Sequence, residues 1–292
     1  MGEAALQRVA KLMAARGLCS RREAERLIEA ACVLVDGAVV SQQGAKAAVA
    51  AHIEITAAGR RLLGGRATIV LNKPLGIVST QPEAGQTPAW KLVRAAAQRG
   101  AADPAATAAM LADPESLAVA GRLDRASRGL LVMTQDGTVA RRIIGGNGVE
   151  KAYVVRVEPP PRDEQIRKLN GAMRLDGVPL LPMHVVRAGA SGLRFILVEG
   201  KKHQIRRCCH TVGLEVTDLQ RVAVGPLRLG DLPEGCWRLA SDEELARLQC
   251  DGRVGGAATR KERAARSGRG VDAGAGRMRA CADTPRARRP RR

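Results

Sequence analysis

Aromatic side chains are almost missing: Trp90, Trp237, Tyr153 and Phe195 are the four in 292 residues. The core must therefore be aliphatic, and an aromatic in a polar setting carries information. Long hydrophobic runs are missing too. No apolar stretch approaches the 18 residues of a membrane-spanning helix, and the N-terminus does not read as a secretion signal. Both absences predict a soluble, cytoplasmic protein with no membrane partner. The seven cysteines (Cys19, Cys32, Cys208, Cys209, Cys236, Cys250 and Cys281) form no CxxC pair. An odd count without a signal predicts reduced thiols rather than a disulfide framework. His203, Cys208, Cys209 and His210 are close in sequence, but adjacent cysteines on a helix point apart, so no metal site is expected. A phosphate-cradling glycine loop is absent, as are helix-turn-helix and zinc-finger patterns, which disfavours nucleotide-driven chemistry and DNA reading.

Acidic residues are scarce relative to bases, 29 against 48, for a net charge of +19 and a pI near 10.8. Such a balance points to a polyanionic partner, since basic surfaces bind phosphate chains by releasing counterions. Residues 251–292 carry nine of these charges and leave ten on residues 1–250, so the basic character belongs to the folded part as well. The tail's Gly/Ala/Arg composition cannot build a core and predicts disorder. The remaining length, with 45% apolar residues, has room for two domains.

Residues 6–56 read as a small, separate module. Leu6, Val9, Leu12 and Met13 recur at helical spacing, and Gly17 follows as a stop. Ser20-Arg21-Arg22-Glu23 is a capping box opening a second helix, with Ala24, Leu27 and Ile28 inward. The runs Cys32 to Val35 and Ala38 to Val40, joined by Asp36-Gly37, predict a hairpin. Arg16, Arg21, Arg22 and Arg26 lie near one face, where they either grip a phosphate backbone or form a solvated basic surface. A Gly/Arg-rich hinge is expected from Gly59 to Arg66. The stretch RGLCSRREAERLIEAACVLVDG resembles the S4 RNA-binding domain, with Ala31 where a glycine is common. The resemblance implies that the SRREA helix contacts RNA.

Later segments carry candidate chemistry. An apolar run from Thr68 enters Asn72-Lys73-Pro74, and the Pro and Gly force a bend after Lys73. Lys73 is either a phosphate contact or a strand-end cation reaching solvent. Residues 81–116 predict one helix, Thr87 to Ala97, and no chemistry. Between the runs Leu117 to Ala120 and Leu130 to Met133 stands one carboxylate, Asp124, among Arg122, Arg125 and Arg128. A lone acid among cations is held charged, as a carboxylate nucleophile must be, though a turn-capping loop aspartate fits the same spacing. Asp136-Gly137 closes the segment as a turn pair favouring positive φ. Helices are expected over Thr138 to Ile144 and Asp163 to Leu169, with a flexible Gly145 to Gly148 between them. In Lys151 to Val157, alternation puts Tyr153, Val155 and Val157 on one face with Lys151 at the entrance. After a strand from Leu193 to Val198, a helix starting near His203 faces Ile205, Cys208 and Cys209 inward, and Arg206 and Arg207 diverge. Strands at Leu214 to Val224 and Leu227 to Leu229 and a capped helix from Ser241 to Leu248 complete the body.

Four of these segments resemble motifs of the pseudouridine synthases, in that family's usual order. Gly121 to Gly137 resembles GRLDxxTxGLLLLTxDG with Ser127 in place of Thr; Asn72 to Thr80 resembles NKPxGxxST; Lys151 to Tyr153 resembles KxY; Glu199 to Cys208 resembles EGxxxQIRRM with Cys for Met. The S4-like module suggests the RsuA/RluB/RluE/RluF-like branch, leaning to RluF-like large-subunit enzymes. The resemblance implies an α+β chain. An S4-like helix-helix-hairpin domain at 6–66 is expected to precede a synthase domain at 67–250, built on a mixed, mostly antiparallel sheet with flanking helices. The disordered basic tail at 251–292 follows. The resemblance nominates Asp124 as nucleophile, Tyr153 to stack on uracil and as a candidate to take its C5 proton, Ile205 as an apolar wall, and Arg206 to ion-pair with Asp124, with Arg207 in reserve. RNA contacts are expected from Arg16, Arg21, Arg22, Arg26, Lys73, Arg122, Lys151, Lys202 and Arg207. The implied reaction isomerises a uridine of ribosomal RNA, free or in a pre-ribosomal particle, with no cofactor and no metal, by a monomer. The alternative is a non-catalytic RNA-binding or ribosome-assembly factor on the same fold.

Overall fold

The computed structural model describes residues 6–64, 66–100, 104–145, 148–250 and 253. The basic tail thus lies outside the described residues apart from 253, as do two residues of the expected Gly145 to Gly148 segment.

The N-terminal module forms as its local signals require. Helix Val9–Ala15 buries Val9, Leu12 and Met13. It ends in a Schellman turn, with Gly17 at φ +75° and Leu18 N–H donating to Met13 O at 3.0 Å. Helix Arg21–Glu29 starts at the capping box: Glu23 N–H donates to Ser20 Oγ (3.2 Å) and Ser20 N–H to Glu23 Oε2 (2.6 Å). Strands Val33–Val35 and Ala38–Val40 pair across Asp36 and Gly37, both at positive φ, and Ile53–Ile55 pairs on the other edge. Ala31 adopts φ +52°, the left-handed conformation that a glycine would take more easily.

The expected hinge is instead a helix, Ala57–Leu63, capped by Thr56, whose Oγ1 accepts from Gly59 N–H at 3.1 Å. Gly59 serves packing rather than flexibility. A Cβ there would lie 2.7 Å from Ile55 Cγ2 and 2.9 Å from Cys32 Cβ.

The larger part is a nine-stranded sheet. Its main path runs His184–Arg187, Gly192–Leu197, Lys151–Glu158, Glu215–Val224, Arg128–Thr134, Thr68–Lys73 and Trp237–Leu239. Only the contact between Glu215–Val224 and Arg128–Thr134 is parallel; the other named pairings are antiparallel, so the sheet is mixed and mostly antiparallel. Gly129 permits that contact, since at φ +101° a Cβ would stand 2.4 Å from Arg221 O. Helices cover both faces. Leu169, Ile205, Cys208 and Cys209 join the cluster around Leu131, Tyr153 and Phe195, while Val139, Ile143 and Leu248 pack on Val70, Leu130 and Val132. Strands buried on both faces explain the unbroken apolar runs at 69–71 and 130–133.

Two further expectations fail. Thr87 to Ala97 forms no single helix but two 3₁₀ turns, Ala89–Leu92 and Ala95–Ala97, with Arg94 extended between them. Trp237 is the cause: its Nε1 donates to Arg94 O (2.9 Å), drawing that carbonyl onto the sheet edge and out of any helical ladder. Nor is Asp136-Gly137 a positive-φ turn. Asp136 caps helix Gly137–Ile144 by accepting from Thr138 N–H at 2.7 Å. Helix Pro104–Ala112 was not expected.

Candidate active site

The loop between Ala118–Val119 and Arg128–Thr134 carries Asp124, and its backbone is held from three directions. Ser79 Oγ donates to Leu123 O (2.6 Å) and accepts from Leu123 N–H (2.9 Å). Gly76 N–H donates to Arg125 O (3.0 Å) and Arg125 Nε to Gly76 O (3.2 Å). Arg221, 2% exposed, donates to Gly121 O (2.9 Å), Arg122 O (3.4 Å) and Leu130 O (2.8 Å). Ser127 N–H closes the turn on Asp124 O at 3.0 Å. The result is a fixed backbone presenting a carboxylate that is 44% exposed. Rigid support of this kind keeps a reacting group in place without ordering it at the moment of reaction.

Lys73 lies wholly buried beside this loop, its Nζ donating to Pro74 O and Ile77 O, each at 2.8 Å. Burial lowers its pKa to about 8, against the opposing pull of Asp124. His203 Nε2 stands 3.7 Å from Asp124 Oδ1. Arg206 donates to Ala126 O (2.6 Å) and Val216 O (3.0 Å), bracing the same loop from the helix Gln204–Thr211. Tyr153 and Ile205, both buried, share one apolar cluster with Leu123, the residue preceding Asp124. A braced, accessible carboxylate whose neighbour Leu123 joins an apolar cluster holding Tyr153 and Ile205 suits attack on a flat, extruded base.

Residues 67–211 match the family described as RNA pseudouridylate synthase, and residues 7–48 match the S4 domain. The chain is 32% identical over 248 residues to the dual-specificity RNA pseudouridine synthase RluF of Salmonella typhi, covering 82% of this chain and 78% of that protein. It belongs to the RNA pseudouridine synthase family. RluF of Escherichia coli K12 is 31% identical over 244 residues, with the same coverage. The ribosomal large subunit pseudouridine synthase B of Bacillus subtilis is 29% identical over 252 residues, covering 84% of this chain and 96% of that one. The crystal structure of a pseudouridylate synthase superposes with a TM-score of 0.56 at 23% identity, covering 82% and 99%, a likeness of fold.

In this synthase the residues nominated from sequence divide clearly. Arg206 does not ion-pair with Asp124, because both its terminal nitrogens are engaged by backbone carbonyls. Arg207 does not replace it; it pairs with Asp176 at 2.5 Å. Arg128, also expected near Asp124, makes a two-pronged pair with Asp218 on the neighbouring strand (2.9 and 2.7 Å). Lys73 and Lys151 are not available to phosphates as expected, since both are buried. Lys151 Nζ donates to Val149 O (3.1 Å) and Val198 O (3.4 Å), and burial, then Arg221, lowers its pKa to about 8. Arg21, Arg22, Arg26, Arg122 and Lys202 are exposed as an RNA contact requires. Arg16 is exposed too, but its guanidinium is held on Ala51 O and Val49 O, each at 2.7 Å.

Sequence reading missed Arg221, Ser79 and the placement of His203. Arg221 left a signal. It occupies the inward phase of Leu219-Gln220-Arg221-Val222-Ala223, where a charge is expected only if it holds something. Cys208 and Cys209 are buried in the core while His210 is exposed, and among the described residues no such cluster is placed to hold a metal.

Proposed function

We propose that this synthase converts a uridine of ribosomal RNA to pseudouridine, with Asp124 as nucleophile. The observation that carries this reading is the exposed Asp124 carboxylate on a loop fixed by Ser79, Arg125 and Arg221, whose Leu123 joins the apolar cluster of Tyr153 and Ile205. Ribosomal RNA is favoured because a relative is named for the large ribosomal subunit and the S4 module presents Arg21, Arg22 and Arg26.

The target uridine is flipped out, at about a few kcal/mol, and stacks against Tyr153 with Ile205 as the second wall. Asp124 attacks, and the bond from uracil N1 to the ribose breaks. The detached base turns in place, C5 bonds to the ribose carbon as the bond to Asp124 breaks, the C5 proton leaves to water and N1 takes one up. Every atom but that exchanged proton stays, so the step is an isomerisation. Arg206 keeps the loop in register through Ala126. The chain acts as a cytoplasmic monomer, bringing a structured RNA to the loop through its basic module.

RNA carrying tritium at uracil C5 tests this reading. Wild-type protein is expected to release tritium, and Asp124→Asn to bind the same RNA but release none. Turnover by Asp124→Asn within tenfold of wild type would remove Asp124 from the role.

A further inference from the structure

We infer that His203 is a positioning residue for Asp124, acting through its imidazole; this rests on the isomerase reading above. His203 precedes the helix Gln204–Thr211 with φ +53° and ψ 29°, a conformation best suited to glycine or asparagine. Its side chain makes no capping bond to that helix. Backbone need therefore does not explain an imidazole here. What it does make is the contact to Asp124, Nε2 to Oδ1 at 3.7 Å, within ion-pair range but beyond a hydrogen bond. The left-handed backbone is the device that turns the side chain from its own helix toward the loop.

Apart from the exposed Arg122 and Lys202, the charged groups around it are held elsewhere. Arg206 is on the carbonyls of Ala126 and Val216, and Arg207 on Asp176. Lys201 lies 4.0 Å from Glu199, Arg125 bonds Gly76 O, and Lys73 is buried on Pro74 O and Ile77 O. Among the described residues, His203 is the basic side chain within 4.0 Å of Asp124. With Arg206 and Arg207 turned away, a half-exposed imidazole is the group that faces the carboxylate. It orients the carboxylate without holding it in a tight bond from which attack would have to free it.

Glycine separates backbone from side chain at this position. His203→Gly keeps the left-handed backbone at no steric cost, and His203→Asn tolerates it while removing the imidazole. Melting temperature, KM and kcat are measured on C5-tritiated RNA, beside wild type and Asp124→Asn. Both His203 variants are expected to melt within a few degrees of wild type and to keep KM within about twofold. Their kcat is expected to fall about tenfold, equivalent to about 1.4 kcal/mol of transition-state stabilisation. A wild-type kcat in either variant would overturn the inference, and so would a raised KM with unchanged kcat, which would make His203 an RNA contact. Wild-type protein that releases no tritium would overturn the isomerase reading and this inference with it.

Discussion

Burying a lysine ammonium costs hydration that two carbonyl contacts only partly replace, and among the described residues this happens at Lys73 and Lys151. Burial lowers both to about 8. Unfolded, these lysines hold their protons to about 10.4, so between about 8 and 10.4 the unfolded chain binds more protons and their contribution to stability rises with pH. Below 8 both states are charged and the burial penalty is complete. Cys19, Cys208 and Cys209 act oppositely, since burial pushes their thiols up to about 11, 11 and 12 and the unfolded chain alone loses those protons above 9. A difference between proteins isolates the lysine. The change in stability from wild type to Lys151→Met should be more favourable at pH 7 than at pH 10, by on the order of 1–3 kcal/mol. Equal differences in denaturant titrations at the two pH values would contradict the assignment. Neither burial was legible in the sequence. A lysine next to a bend or at a strand entrance ordinarily reaches water, and only the three-dimensional cover of neighbouring strands removes it.

At the scale of elements, features fixed by a few neighbouring residues were readable. The Ser20–Glu23 capping box and the Asp36-Gly37 hairpin formed as read. Features fixed by distant partners were not. Arg94 gives its carbonyl to Trp237, 143 residues away, and Gly59 packs on Cys32 from within a helix rather than acting as a hinge. Ala31 lies between these cases: the departure from glycine was visible, while its φ of +52° was not. Left-handed alanine is strained by about 1–2 kcal/mol, and glycine returns about 0.4–1 kcal/mol of that through unfolded-chain entropy. Ala31→Gly should therefore stabilise the protein by about 0.5–1 kcal/mol. A lowered denaturation midpoint would refute that strain.

Across the whole described body, the basic module and the sheet meet at Arg66. Its Nη1 lies 3.1 Å from Glu23 Oε1 in the capping box and 3.2 Å from Asp136 Oδ1, the cap of helix Gly137–Ile144. Gly137 sits so close to Ser20 that a Cβ would fall 2.1 Å from the serine Cβ. The end of the Asp124 motif thus doubles as the seat of the RNA-binding module, a role its Asp-Gly pair did not announce. Arg66→Ala should loosen the module and raise KM for RNA several-fold with kcat nearly unchanged, because the loop at 121–127 keeps all its own braces. A fall in kcat with KM intact would place the coupling elsewhere. The four motifs and the exposed Arg21, Arg22 and Arg26 were legible because short patterns encode them; the bracing by Arg221 and the turn of Arg206 away from Asp124 depend on strands that meet only in the fold. The most direct measurement is pseudouridine mapping at nucleotide resolution on unmodified ribosomal RNA and pre-ribosomal particles after incubation with wild type or Asp124→Asn. A new site with wild type and none with Asp124→Asn is the expected result; the same site with both proteins, or none with wild type on either substrate, would contradict it.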